Sequence, residues 1–173
     1  MSYYAVIDTN VLVSNFLTLN PNSPIKKIMN YIGLGQIIPM FNDEILSEYT
    51  EVLHRKNFGL NDESVNELLE SIKKKGISCD RKEMDDIFPD PDDVVFYEVA
   101  MSREDSYLVT GNLKHFPKNG RVVSPSEMLQ IIELGNLPKG LLNASEGPEY
   151  MSMTLDEINV IIHQVRKQMA ERG

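Results

Sequence analysis

Cysteine is almost missing from this chain: Cys79 is alone among 173 residues. A single thiol excludes an intrachain disulfide and a thiolate metal cluster, and a reduced, cytoplasmic setting is expected. Long apolar runs are missing too, so no segment reads as a bilayer span and no membrane partner is expected. The first residues lack the basic-then-apolar layout of a signal peptide. Basic residues are in the minority, 17 Lys and Arg against 26 Asp and Glu, for a formal net charge of -9. That balance argues against a protein that coats nucleic acid through a basic surface. It leaves room for an enzyme that handles phosphates through a metal ion, where clustered acids are required.

What remains is an ordinary globular composition, 42% hydrophobic and 25% charged, in a length that suits one domain with a real core. Short apolar stretches, YYAVI (3–7), QIIPM (36–40), SYLVT (106–110) and RVVS (121–124), read as strands. Between them lie helical patterns. Residues 23–35 place Ile25, Ile28, Met29 and Ile32 at helical spacing. Residues 42–56 and 61–76 open on Asn and Asp caps, and 124–135 forms a capped helix before β-free sequence begins. The stretch FPDPDDVVFYEVAMSRE (88–104) is apolar without clear period; Asp90 as cap and Pro91 as first helical residue favour a helix. A turn of helix is expected at 112–116. Strands alternating with helices predict an α/β fold with a parallel sheet covered on both faces. We read residues 1–135 as the main domain, 136–153 as a linker rich in Gly and Pro, and 154–173 as an amphipathic helix. That last helix bears Leu155, Ile158, Ile161, Ile162 and Val165 on one face, packed on its own domain or on a sister subunit.

In such sheets the ligand site lies beyond the carboxyl ends of the strands. Asp8, Thr9 and Asn10 interrupt an apolar run at that position, although the same residues also suit a plain strand-to-helix turn. Glu48 falls roughly 40° outside the buried arc of its helix, a boundary position whose default is solvent. Asp90, Asp92 and Asp93 stand where acids cap a helix N-terminus, yet three in four residues exceed what capping needs, and a Mg²⁺ or Mn²⁺ ion would offset their repulsion. Asp85 and Asp86 are read as solvated loop residues. Thr110, Gly111 and Asn112 end another strand, and Lys114 with His115 follow as groups that could meet phosphate or simply be solvated.

Taken in order, VIDTNVLVS, ILSEYTEVLHR, DPDDVVFYEVA, YLVTGNLKHFP and VVSPSEML resemble the PIN-domain family of metal-dependent ribonucleases over about residues 3–134. Within it, the likeness is to prokaryotic toxin components of toxin–antitoxin pairs. The resemblance implies a three-layer α/β/α sandwich and a cleft of acids holding Mg²⁺ or Mn²⁺ that cuts single-stranded RNA. It implies Asp8, Glu48 and Asp93 as catalytic metal ligands, with Asp90 or Asp92 assisting. It implies Thr9, Asn10 and Thr110 as residues that hold the ligands. Asn112 stands where many members have aspartate, which lowers the expected affinity for a second ion. Lys114 is the preferred substrate contact. An antitoxin and a second copy of the chain are the candidate protein partners. Two other readings compete: a non-catalytic binding module on the same fold, and a phosphatase with Asp8 as nucleophile, disfavoured because Asn10 stands where its general acid would be.

Overall fold

In this computed structural model, which describes residues 1–136 and 151–173, the strands are apolar on both faces because both faces are covered. Strand β1 (Tyr3–Ile7) is followed by helices α1 (Thr9–Leu17) and α2 (Pro24–Gly33), then by β2 (Ile37–Phe41) and α3 (Asp43–Leu53). A 3-10 turn at Lys56–Phe58 leads to α4 (Asp62–Lys75) and the two-residue strand β3 (Ile77–Ser78). After an irregular stretch come α5 (Val94–Met101), β4 (Ser106–Val109), β5 (Val122–Val123) and α6 (Pro125–Asn136). Helix α7 (Leu155–Arg172) ends the chain.

The five strands form one sheet, all parallel, in the order β3-β2-β1-β4-β5. With helices on both sides it is a three-layer α/β/α sandwich carrying an additional C-terminal helix, as expected. The chain runs outward from β1 to β2 and later returns to β1's other side as β4, so strand order reverses between β1 and β4. Ile7 pairs with Val109 there, and the two neighbouring strand ends open a crevice.

Local chemistry sets the helix starts. Ser23, Asn42 and Asn61 each accept a backbone N–H of the first turn, and Pro24 occupies the first helical position of α2. The expected helix over 88–104 divides in two: Asp90 caps a 3-10 turn at Pro91–Asp93, and the α-helix begins at Val94. Two elements escaped the sequence pattern, α1 and β3. Residues Thr9 through Ser14 of α1 are all buried, so no polar face marks its period. Only residues 151–153 and Asn136 of the linker expected at 136–153 are described; the rest of it lies outside the described residues. No helix of the described residues is long and apolar enough to cross a membrane.

Gly76, which ends α4, lies against the sheet. A Cβ there would stand 2.5 Å from the Pro39 carbonyl oxygen and 2.7 Å from that of Ile72. Both neighbours are backbone and cannot swing aside. Gly76→Ala is therefore expected to destabilise the fold by about 1–3 kcal/mol in urea unfolding; an unchanged midpoint would show that β2 and α4 can separate at this point.

Candidate metal centre at the sheet switch point

Asp8 follows β1 directly and is the N-cap of α1, as the turn reading expects, and this leaves its carboxylate at the end of the strand. Its carboxylate is 3% exposed. Thr110, at the end of β4, donates its hydroxyl to Asp8 Oδ2 at 2.6 Å, and Asn10 Nδ2 donates to the same oxygen at 3.0 Å. Asn10 Oδ1 in turn accepts the Gly111 N–H at 3.0 Å, and the Asn112 N–H donates to Thr110 Oγ1 at 2.9 Å. The turns after β1 and β4 are thus sewn into one unit across the switch point. With its amide so committed, Asn10 holds Asp8 in place and has no proton to offer as an acid.

Glu48 departs from its sequence expectation: it is buried, 6% exposed. The reason lies outside α3, because α7 packs on the flank that the helix pattern leaves to solvent. Thr9 donates its hydroxyl to Glu48 Oε1. The next residue, Tyr49, donates its buried hydroxyl to the carbonyl of Ile7 and packs on Phe96 of α5 with ring centroids 6.3 Å apart. That contact ties α3 and α5 to the end of β1, fixing Glu48 and Asp93 relative to Asp8.

Asp93 is 2% exposed and Asp90 is half-buried. Between Glu48 and Asp93 sits a residue that sequence reasoning missed, Arg166 of α7. Its Nε and Nη2 donate to the two oxygens of Glu48 at 3.0 and 3.1 Å, and its Nη1 donates to Asp93 Oδ1 at 2.7 Å. Asp90 Oδ2 lies 3.9 Å from Nη1. The guanidinium is 5.5 Å from the Phe96 ring centroid. The signal was available, since Arg166 follows Ile158 and Ile162 at intervals of four and so falls on the buried stripe.

Electrostatics follow the geometry. Burial pushes the Glu48 carboxyl up, with Arg166 and Thr9 opposing. Burial, reinforced by the charge of Asp8 and opposed by Arg166, brings the Asp93 carboxyl to about 6. For Arg166, burial works against the charge, but Glu48, Asp8 and Asp93 overcome it and hold the proton more tightly than usual. Folded Asp93 therefore keeps its proton to about 6, whereas its ordinary value is 3.8. Between those values the folded chain binds more protons than the unfolded one, so stability drops as pH rises through the interval. In EDTA, the wild type is expected to lose on the order of 2–3 kcal/mol more than Asp93→Asn between pH 4 and pH 7. Urea unfolding across that range reads the difference, and parallel curves would mean that Asp93 ionises normally.

The remaining candidates divide. Asn112 and His115 line the same cavity as Asp8, Asp90 and Asp93, a space of about 440 Å³. His115 Nδ1 is 3.1 Å from Asp93 Oδ2. Asp92 is exposed and lies with Glu48 on the other side of Arg166, in a second depression. Lys114, the preferred substrate contact, does not reach the cleft: it lines a separate hollow with Phe116 and Lys118. Leu113–His115 is a 3-10 turn, whose successive residues stand about 120° apart, so His115 turns inward as Lys114 turns away. Asp85 and Asp86 are exposed, as expected. Among the described residues, the donor atoms of Asp90, Asp92 and His163 lie within 4.8 Å of one another. Glu48, Asp93 and Asp90 instead stand around the Arg166 cation, at 3.0, 2.7 and 3.9 Å.

The carboxylates suit a hard divalent ion by donor type, being oxygen ligands only, and three of them already face one positive charge. Residues 4–114 match the family model described as PIN domain. No curated protein and no solved structure matches the chain. The matched span runs from β1 through β4 and takes in Asp8, Glu48, Asp93 and Thr110, and on that evidence the chain belongs to the PIN-domain family.

Proposed function

We propose that this PIN domain, a member of a family of generally metal-dependent nucleases, cuts single-stranded RNA endonucleolytically using Mg²⁺ or Mn²⁺. The observation that supports this reading best is that buried Asp8 and Asp93 line one cavity at the sheet switch point, with buried Glu48 joined to Asp93 through Arg166. These three acids would hold the ion, with Asp90 beside them. The ion would polarise a phosphodiester and lower the pKa of an attacking water. Thr110 and Asn10 hold Asp8 in its pose, and Thr9 does the same for Glu48, which orients the water. Asn112 provides a neutral wall to the cavity in place of a further acid, which favours one tightly held ion. His115 and His163 line the cavity together with Arg166 and are within reach of a bound phosphate, whereas Lys114 is not. The five ordered motifs support a place as the toxin of a toxin–antitoxin pair, with an antitoxin that covers the cleft.

The test is incubation of labelled single-stranded RNA, and of DNA of the same sequence, with Mn²⁺, Mg²⁺ or EDTA. RNA cleavage that needs metal and spares DNA is the expected result. Cleavage that persists in EDTA or falls on DNA alone would overturn it, as would failure both to cut and to bind Mn²⁺ in the wild type and in Arg166→Gln alike. A non-catalytic module is the second reading, favoured by the seating of Arg166 among the acids.

A further inference from the structure

Helix α7 lies outside the span that matches the family, yet it supplies much of the cleft wall. Its contacts fall on the site itself. Leu155 packs so closely on Gly111 that a Cβ there would stand 3.0 Å from its Cδ1. Asn159 Oδ1 accepts from Asn10 Nδ2 at 3.3 Å. Ile158, Ile162 and Val165 are buried, and α7 packs on α1 and α3. Arg166 then takes both oxygens of Glu48 and one of Asp93.

Two cations held by the same pair of carboxylates repel each other and compete for their lone pairs. Glu48 Oε1 already takes two donors, Thr9 and Arg166, while Glu48 Oε2 and Asp93 Oδ1 each give one lone pair to the guanidinium. The fixed positive charge of the guanidinium between the two acids repels a divalent ion approaching the lone pairs that remain. Polynucleotide meets a second obstacle. The helix lies along the cavity that contains Asp8, and its first turn adds Asp156 and Glu157, charges that repel phosphate. Every group that docks α7 at the acids is one that the proposed nuclease needs free.

We propose that α7 is a built-in inhibitor of the cleft: Arg166 holds Glu48 and Asp93 in the stead of a divalent ion, and the site loads metal and RNA only when the helix lifts. This rests on the metal-dependent reading above. Helix docking and metal binding are then two states of one equilibrium, each weakening the other by the same factor.

The test uses the full chain and Mn²⁺ alone. Titration of the free Mn²⁺ paramagnetic resonance signal compares wild type, Arg166→Gln and Ile158→Ala/Ile162→Ala, the last loosening the helix with every charge retained. Hydrogen exchange of residues 155–172 is followed in the wild type with and without Mn²⁺. Both variants are expected to bind Mn²⁺ about tenfold tighter than wild type or more, and Mn²⁺ should speed exchange along α7 in the wild type by a similar factor. Equal Mn²⁺ affinity in wild type and the double variant, or α7 exchange that Mn²⁺ leaves unchanged or slows, would overturn the inhibitor and leave the metal site standing. Absence of Mn²⁺ binding in all three proteins would overturn both. The wild-type exchange measurement needs no substitution, so it decides even if Arg166→Gln fails to fold.

Discussion

Asp8→Asn should lower metal-dependent RNA cleavage by on the order of 10³-fold or more while leaving the fold in place. The substitution changes charge and little else. Asparagine caps a helix as well as aspartate does, so α1 keeps its start. Its one side-chain oxygen can serve either that cap, which Asp8 Oδ1 now makes with the Asn10 N–H at 3.4 Å, or the Thr110 and Asn10 side chains that now donate to Oδ2. The variant so gives up part of this set but not all of it. What is lost is the negative charge at the end of β1, which no other residue of that turn supplies. Loss of that charge also removes one of the influences that raise Asp93, so the variant should fold at least as stably as wild type in EDTA. Cleavage assays paired with thermal melts separate the two effects. A variant that cuts RNA at the wild-type rate would remove Asp8 from the site.

The second large effect is on stability. Arg166→Met in metal-free protein at pH 7 is expected to cost about 3–5 kcal/mol, because it strands two buried carboxylates without their cation. Most of the loss belongs to what is left behind. Glu48→Gln in the Arg166→Met background should therefore recover a large part of it, giving a coupling energy well above the 0.5 kcal/mol expected of independent sites. The loss should also shrink at pH 5, where Asp93, at about 6, already holds its proton. Urea unfolding of the four proteins of the cycle reads all of this. Additive effects would mean that Arg166 and Glu48 do not depend on one another, and the observed bidentate contact would then contribute little to folding.

The fold was legible because its signals are local. Caps at Ser23, Asn42 and Asn61 and the apolar strands are written in neighbouring residues, and the structure follows them closely. The acids were legible by position: Asp8 after the first strand and Asp93 at a helix start need no knowledge of the rest of the chain. What the sequence hid is whatever depends on contact between distant segments. Glu48 looks like a surface residue of α3 until α7, more than 100 residues later, covers it. The spacing of Arg166 after Ile158 and Ile162 puts it on the buried stripe of its helix, but its partners on α3 and beside α5 are not visible from that spacing. Lys114 and His115 are adjacent in sequence, and only the tight 3-10 turn between β4 and β5 decides which of them faces the acids.

The two margins of the sheet have a consequence for how copies of the chain can associate. Both outermost strands, β3 and β5, are two residues long. They leave too few free backbone groups to template another strand. Beside β3, the longer β2 is covered only at Met40 and Phe41, and its next residue inward, Pro39, has no N–H to donate. On the β2 side a growing ladder would therefore find little foothold among the described residues, and on the other side β4 leaves only Ser106 and Tyr107 beyond β5. Among the described residues, the short margins favour assembly through helix and loop surfaces over edge-to-edge pairing of the parallel sheet.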